Sequence, residues 1–261
     1  MEVVSLHAKR EIATFLRRNP FLYVYHLGDL DDFFWPYTVW YALKNGGEIA
    51  AMALLYTRFA LPVLQAIGDA PLDALAELLR SSRRLLPRRF YAHLSGDLAR
   101  VFAEDHDSQC HGTFYKMALA DRSRLHLVDT SDIIPCTSSD ADELAALYGV
   151  SYPSNSFDPR MLETGRYYGL RRGGRLACVA GVHVVSPQYS VAALGNITTH
   201  PDYRGQGLAT RATARLCQAL AAEIEYIGLN VQADNTAAIA CYERLGFVPV
   251  ATYGEYTFEL K

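Results

Sequence analysis

The stretch Gly195-Asn196-Ile197-Thr198-Thr199-His200-Pro201-Asp202-Tyr203-Arg204-Gly205-Gln206-Gly207-Leu208-Ala209-Thr210 decides how this sequence is read. It opens as a strand, breaks at Pro201, turns through two glycines and enters a helix. The helix face is legible because Leu208, Ala212, Leu216 and Leu220 recur every four residues. A glycine turn that ends at a helix N-terminus leaves backbone N–H groups unpaired, and the helix dipole adds partial positive charge there. Together they make a seat for phosphate. Gly205 and Gly207 let the backbone approach such a group with no Cβ in the way, and Arg204 adds a cation. Taken alone, the same pattern also describes a surface loop that caps a helix.

Composition narrows the class. The chain of 261 residues has room for two small domains or one large one, and its 50% apolar content supplies a sizeable core. A formal net charge of −3 and the lack of a basic block argue against nucleic acid or an anionic membrane as the main partner. The densest basic run, Arg80-Ser81-Ser82-Arg83-Arg84 with Arg88-Arg89, reads as the solvated end of a helix. No secretory leader and no transmembrane run are visible, so a cytoplasmic protein is expected. Cys110, Cys136, Cys178, Cys217 and Cys241 are scattered without a Cys-x-x-Cys pair. That spacing fits free thiols in a reducing compartment, with neither a disulfide frame nor a metal site.

Outward from the opening stretch, the periodicities give an element order. Residues 1–25 read as helical, followed by an aromatic segment over 23–35 whose plain reading is packing between two halves. Strands are expected at 38–43, 48–56 and 61–67, the first two joined by the hairpin turn Lys44-Asn45-Gly46-Gly47. A helix over 72–86, a strand over 89–94, a short helix over 97–104 and a strand over 113–119 follow. Residues 120–130 read as a linker. The second half expects a helix over 140–148 capped by Ser138 or Ser139, a helical piece at 161–164, and strands at 167–171 and 176–185 around Arg172-Gly173-Gly174. A strand at 191–199, the helix from Leu208, a strand at 226–231, a helix at 235–245 and a strand pair over 248–260 complete the order. The order of the first half thus recurs in the second, which predicts an α/β fold of two mixed sheets flanked by helices, with domains 1–122 and 123–261.

A second constellation lies downstream: Asn230-Val231-Gln232-Ala233-Asp234-Asn235-Thr236-Ala237-Ala238-Ile239-Ala240-Cys241-Tyr242-Glu243-Arg244-Leu245-Gly246-Phe247. Asp234 or Asn235 caps the helix, Ile239, Tyr242 and Leu245 share one side, and Gly246 ends it. On this reading alone, Tyr242 is a core residue. The joint pattern is more specific. Arg204-x-x-Gly207-x-Ala209, preceded by Thr199-His200-Pro201-x-Tyr203 and followed by Asn235-x-x-Ala238-x-x-x-Tyr242-x-x-x-Gly246-Phe247, resembles the GNAT acyl-CoA-dependent N-acyltransferases. The resemblance covers roughly residues 130–261. By element order, the first half resembles the degenerate N-terminal half of two-lobed members such as glycine N-acyltransferase-like enzymes.

The resemblance implies a GNAT fold in two tandem halves and roles for particular residues. Backbone amides of Arg204, Gly205, Gln206, Gly207, Leu208, Ala209 and Thr210 would hold the pyrophosphate of the cosubstrate acetyl-CoA. A bulged strand at Ile197, Thr198 and Thr199 would pair with the pantetheine arm and splay from the strand at 226–231. An amide there, that of Thr199, would polarise the thioester carbonyl. Asn235 would hydrogen-bond the pantetheine, and Tyr242 would protonate the departing thiolate. The acceptor would be a primary amine of a small molecule, amino acid or peptide. Some relatives that acetylate protein N-termini carry a glutamate on the fifth strand, where this chain has Asn230, which cannot take a proton; the candidates for the base are His183, Asn196 holding a water, and Glu255 or Tyr256. The alternative is an acyl-CoA-binding pseudoenzyme or sensor. A nucleotide-binding protein of another class is disfavoured, because Gly-x-x-x-x-Gly-Lys-Ser/Thr is absent and Gly205-x-Gly207 lacks a third glycine. Oligomeric state has no signature in the sequence.

Overall fold

The computed structural model describes residues 1–69 and 71–261. The chain forms two compact units, Met1–Lys116 with Val250–Lys261, and Met117–Pro249. A plain cut at 122/123 differs from these units chiefly at the C-terminus, for a reason that lies in strand pairing.

In the first unit the chain begins with strand β1 (Glu2–Leu6), then helix α1 (Lys9–Leu16) and the short helix α2 (Val24–Gly28). The helix expected over 1–25 is therefore corrected at its start. Val3 and Val4 are β-branched, and β1 pairs antiparallel with β2 (Thr38–Asn45), from Glu2 opposite Lys44 to Leu6 opposite Trp40. In the aromatic segment Tyr23, Tyr25 and Phe34 are buried. The hairpin from β2 to β3 (Glu48–Tyr56) turns at Gly46 (φ 58°) and Gly47 (φ 90°), where side chains are strained. Strand β4 (Val63–Ala66) runs antiparallel to β3, and helix α3 (Asp73–Ser82) crosses back over β2 and β3 to β5 (Arg89–Leu94), parallel to β4. The helix expected over 72–86 ends early in a 3₁₀ turn, Arg83–Leu85, and the helix expected over 97–104 is the 3₁₀ segment Leu98–Phe102. Strand β6 (His106–Leu119) starts well before the expected residue 113.

The C-terminal strand pair expected over 248–260 is one continuous strand, named β12 below (Phe247–Leu260). Gly254 sits in the ladder opposite Leu94, and a Cβ there would lie 2.6 Å from the Tyr256 ring. It is a close-approach glycine inside a strand, a role periodicity cannot separate from a turn. Pairing of residues 254–259 with β5 brings Phe258 onto Phe90, with ring centroids 5.3 Å apart, and so assigns the end of the chain to the first unit.

The same strand delivers Glu255 into a polar interior. Its carboxylate accepts hydrogen bonds from Tyr91 and, at 2.8 Å, from Tyr253, and lies 3.3 Å from His93 Nε2. Lys116 Nζ lies 4.8 Å from the Tyr25 ring centroid, and burial pulls its pKa down to about 8 against the opposing charge of Glu255. Burial, aided by the positive charge of Lys116, lowers His26 to about 3, with a weaker opposing contact from the Gln65 backbone. A histidine held neutral in the fold and free to charge when unfolded destabilises the native state as pH falls below about 6.5. Between pH 7 and pH 5, urea unfolding of the wild type should therefore lose about 2 kcal/mol more than that of His26→Gln. Equal losses would show that His26 is not held neutral.

The second unit follows a related order: β7 (Ile134–Pro135), α4 (Ala141–Ser151), β8 (Tyr168–Arg172), β9 (Arg175–Ser186), β10 (Val191–Thr199), α5 (Leu208–Leu220), β11 (Tyr226–Gln232), α6 (Thr236–Arg244) and the start of β12. Its strands lie in the order β11-β10-β9-β8-β7. The β8–β9 hairpin turns at Gly173 (φ 56°) and Gly174 (φ 79°), as expected of that pair. Helices α4 and α5 pack on β9, burying Leu144, Leu147 and Tyr148 from one and Leu208, Ala212, Leu216 and Leu220 from the other. The N-cap of α4 is Asp140 rather than Ser138 or Ser139, and Thr137 caps the 3₁₀ turn Ser138–Asp140 that leads into it. The Thr137 backbone N–H donates to Asp140 Oδ2 at 2.7 Å in a capping box. The piece at 161–164 is a 3₁₀ segment, Pro159–Thr164, and part of the expected linker is another, Arg122–Leu127. Both units therefore contain a mixed sheet with helices packed on it and a parallel strand–helix–strand crossover, β4–α3–β5 and β10–α5–β11.

Candidate active site

Helix α5 is held by its buried stripe, so its N-terminus is a fixed feature of the second unit. Gly207 is the N-cap, left-handed at φ 73°, and offers no side chain to the first turn. Gly205 is also left-handed, at φ 76°, and the space beyond the Cα of both glycines is open to at least 4 Å. The Arg204 N–H closes a turn onto the Pro201 carbonyl at 3.3 Å, and the Arg211 N–H bonds the Gly207 carbonyl at 3.1 Å. The amides between them, residues 205–210, wrap the helix end. Gln206 is exposed, Leu208 is buried, and Ala209 and Thr210 are half-buried. The Arg204 guanidinium is used structurally. Its Nε donates to the Thr199 carbonyl at 3.3 Å and its Nη2 to the Ser151 carbonyl at 3.2 Å. It ties the end of β10 to the end of α4.

A bulge was expected at 197–199; strand β10 is irregular at 196–197, and Thr198 and Thr199 are back in regular register with β9. The β10 ladder with β9 jumps between the Gly195–Gly181 and Thr198–Val179 pairs, so Asn196 and Ile197 oppose the single residue Ala180. Asn196 is left-handed at φ 53°. On its other side, β10 pairs in parallel with β11 from Val191–Tyr226 to Leu194–Leu229, and no further. Both strands run on, β10 to Thr199 and β11 to Gln232, so a crevice opens between their ends. The His200 N–H bonds the Ala177 carbonyl on β9 at 2.8 Å. Because N–H and C=O groups alternate between the two edges of a strand, those of Ile197 and Thr199 face the crevice. The backbone of Thr198 faces β9, where it pairs with Val179, and its Oγ1 lies 3.0 Å from Ser151 Oγ of α4.

Helix α6 follows β11 and packs on α5. Asn235 is its N-cap, with Oδ1 accepting from the Ala238 N–H at 3.1 Å, which leaves its side-chain NH₂ as a donor at an exposed position. Tyr242 is buried, with its ring 6.0 Å from that of Phe247. Burial, with Cys241 and Tyr152 nearby, raises its phenol well above the ordinary range, so the proton stays on at neutral pH. Among the described residues its hydroxyl meets no hydrogen-bond partner. Thr210 Oγ1 lies 3.2 Å from Cys241 Sγ and links α5 to α6. Gly246, left-handed at φ 94°, ends the helix, and a Cβ there would lie 2.1 Å from the Asp121 carbonyl.

Position 230 and the base candidates lie apart. Asn230 lies half-buried on β11, just past the last pair with β10. His183 on β9 has Nε2 3.4 Å from Asn196 Oδ1. Glu255 and Tyr256 belong to the first unit, where Glu255 is engaged by Tyr91, Tyr253 and His93. Tyr148, Ser151 and Tyr167, which bond residues of the bulge or Arg204, were not singled out by sequence reading. They lie far from the motif in the chain and carry no spacing signal. Among the described residues no helix is long and apolar enough to cross a membrane.

The first unit lacks this geometry at the equivalent place. Pairing of β4 with β5 runs to Ala66–Leu94, then continues as Ser95 N–H to the Ala66 carbonyl and Gly68 N–H to Ser95 Oγ, both 3.1 Å. Helix α3 opens with Asp73 in its first turn, which disfavours an anion.

The sequence profile of the Acetyltransferase (GNAT) family matches residues 137–247. Over 81 residues the chain is 38% identical to the ribosomal protein bS18-alanine N-acetyltransferase of Escherichia coli K12, a match covering 31% of this chain and 53% of that protein. The chain thus spans about half the length of the curated relatives it matches. Two solved structures share the fold over nearly the whole chain. A Drosophila protein superposes with a TM-score of 0.74 at 13% identity, covering 99% of this chain and 98% of its own. A tandem GNAT protein from the clavulanic acid biosynthesis pathway superposes with a TM-score of 0.59 at 16% identity, covering 98% and 97%. The family match thus falls within the second unit, and the two solved structures share the fold.

Proposed function

We propose that this chain is an N-acetyltransferase that moves an acetyl group from acetyl-CoA to a primary amine by direct attack, with residues 123–261 as the cosubstrate-binding domain and 1–122 as a degenerate GNAT-like domain. The observation that carries the reading is the crevice between β10 and β11, open beside a helix N-terminus whose two glycines leave clear space. The residues fit the cosubstrate: amides 205–210 match an anionic pyrophosphate, and the Ile197 edge with the Thr199 N–H matches an amide-bearing arm. When bound, acetyl-CoA supplies an activated acyl group and a thiolate leaving group.

The chain's own residues do the rest. The Thr199 N–H donates toward the thioester carbonyl oxygen, stabilising the charge that develops there. The Asn235 side-chain NH₂ donates to the pantetheine arm. Tyr242 holds its proton for the departing sulfur. Arg204 ties the loop through two of its five guanidinium N–H donors. The acceptor is an amine of a small molecule, an amino acid or a peptide. The relative named above acts on an alanine of a ribosomal protein, so peptide ends belong in the acceptor panel.

One observation favours a second reading, an acyl-CoA sensor: position 230 is an asparagine, which cannot take a proton. Calorimetric titration with acetyl-CoA, followed by free-thiol release with a panel of amines, amino acids and peptides, separates the two. Binding with amine-dependent thiol release is the expected result. Binding without release from any acceptor supports the sensor, and no binding overturns both.

A further inference from the structure

Asn196 is the meeting point of a buried network. It is 2% exposed and left-handed at φ 53°, a conformation that asparagine tolerates better than most residues. From α4, the Tyr148 hydroxyl donates to its backbone carbonyl at 2.8 Å. Its side-chain Nδ2 donates to the Tyr167 hydroxyl at 3.0 Å, and that hydroxyl donates on to the Val182 carbonyl of β9 at 3.0 Å. Met161 Sδ lies 3.5 Å from the same Nδ2.

The backbone is cut to receive these rings. Gly195 and Gly181 face each other across the ladder. A Cβ on Gly195 would lie 2.3 Å from the His183 ring, and one on Gly181 would lie 2.2 Å from the Tyr167 ring. Phe157 buttresses both tyrosines, with centroids 5.0 Å from Tyr148 and 5.8 Å from Tyr167.

A left-handed residue is enough to make a bulge, and glycine would serve for that alone. The network does more, because it holds both the backbone carbonyl and the side chain of the bulged residue. The two amides that follow, at 197 and 199, face the crevice. A peptide rotation at 196 would swing them.

We propose that Asn196, clamped by Tyr148 and Tyr167, is a positioning residue that sets the bulge so that the Ile197 and Thr199 amides meet the acyl arm of the cosubstrate. This rests on the reading of the site as an acetyl-CoA site. Neither tyrosine touches the cosubstrate; both act through Asn196.

The test is hydrogen exchange of the full chain with and without acetyl-CoA, run on wild type, Tyr148→Phe and Asn196→Gly, with thiol release measured alongside. In the wild type, acetyl-CoA slows exchange at 197–199 and at 205–210. In both variants the slowing at 205–210 is kept, while that at 197–199 falls at least about tenfold and turnover falls about 10- to 100-fold, the cost of a misplaced reacting group. Asn196→Gly separates backbone from clamp, since glycine accepts φ 53° without strain. Variants that keep wild-type protection at 197–199 overturn the clamp. Variants that lose protection in both segments overturn it too, because the network would then serve the fold as a whole. A wild type protected in neither segment overturns the acetyl-CoA reading, and this inference with it.

Discussion

Gly207→Glu should weaken acetyl-CoA binding about 100- to 1000-fold while the protein stays folded. Position 207 is the N-cap of α5 at φ 73°, with nothing within 4 Å of where a Cβ would stand. The new side chain therefore enters the space that the phosphate reading assigns to the pyrophosphate. A carboxylate there occupies the seat and repels the ligand; two like charges about 4 Å apart near a protein surface cost about 4 kcal/mol. The left-handed backbone costs a non-glycine residue about 1–2 kcal/mol, and the carboxylate recovers about 0.3–1 kcal/mol from the helix dipole. A fall of a few degrees in Tm is the expected structural effect. Gly173→Glu is the matched control, because Gly173 is left-handed at φ 56°, equally open, and lies in the β8–β9 hairpin. It should lose similar stability and keep full affinity. Calorimetry that finds equal affinity in Gly207→Glu and the wild type would remove the phosphate seat from the α5 N-terminus.

The second large effect is on turnover. Tyr242→Phe should keep the affinity for acetyl-CoA within about threefold and lower kcat about 100-fold, the lower range for loss of a general acid. The separation should be clean for a structural reason. The ring is buried against Phe247, and among the described residues its hydroxyl meets no hydrogen-bond partner. Phenylalanine keeps the packing and removes an oxygen that no protein group satisfies, so stability should hold or rise slightly. If kcat and Tm are both unchanged, Tyr242 is a core residue and the proton for the leaving sulfur comes from elsewhere. Because burial raises the phenol well above its usual range, the wild-type rate should show no loss from Tyr242 ionisation up to about pH 10. A high-pH limb near neutrality would have to be assigned to another group.

What could be read in the sequence is what neighbours along the chain determine. The buried stripe of α5, the Gly46-Gly47 and Gly173-Gly174 turns, the Asn235 cap and the Gly246 helix end all stand as their residues indicate. Each depends on contacts within a few residues, where 3.6-residue periodicity, positive φ and unpaired helix-end amides leave a mark. The bulge was legible only through resemblance, and its residues carry no spacing rule.

Other features exist only because distant segments meet. Val3 and Val4 become a strand because β2 offers an edge, and residues 247–260 stay one strand because β5 pairs across Gly254. Arg204 reads as a cation beside a glycine turn, and folding adds hydrogen bonds from its guanidinium to the Thr199 and Ser151 carbonyls. Tyr148 and Tyr167 carry no spacing signal, and their hydroxyls find Asn196 from 48 and 29 residues away. The sequence by itself determined the helix end, its glycines and the cap of α6, because those are local. The tertiary structure decided which edge of β10 stays unpaired, what holds its bulge and where Glu255 is used. Those depend on hydrogen-bond partners that only folding brings within about 3 Å.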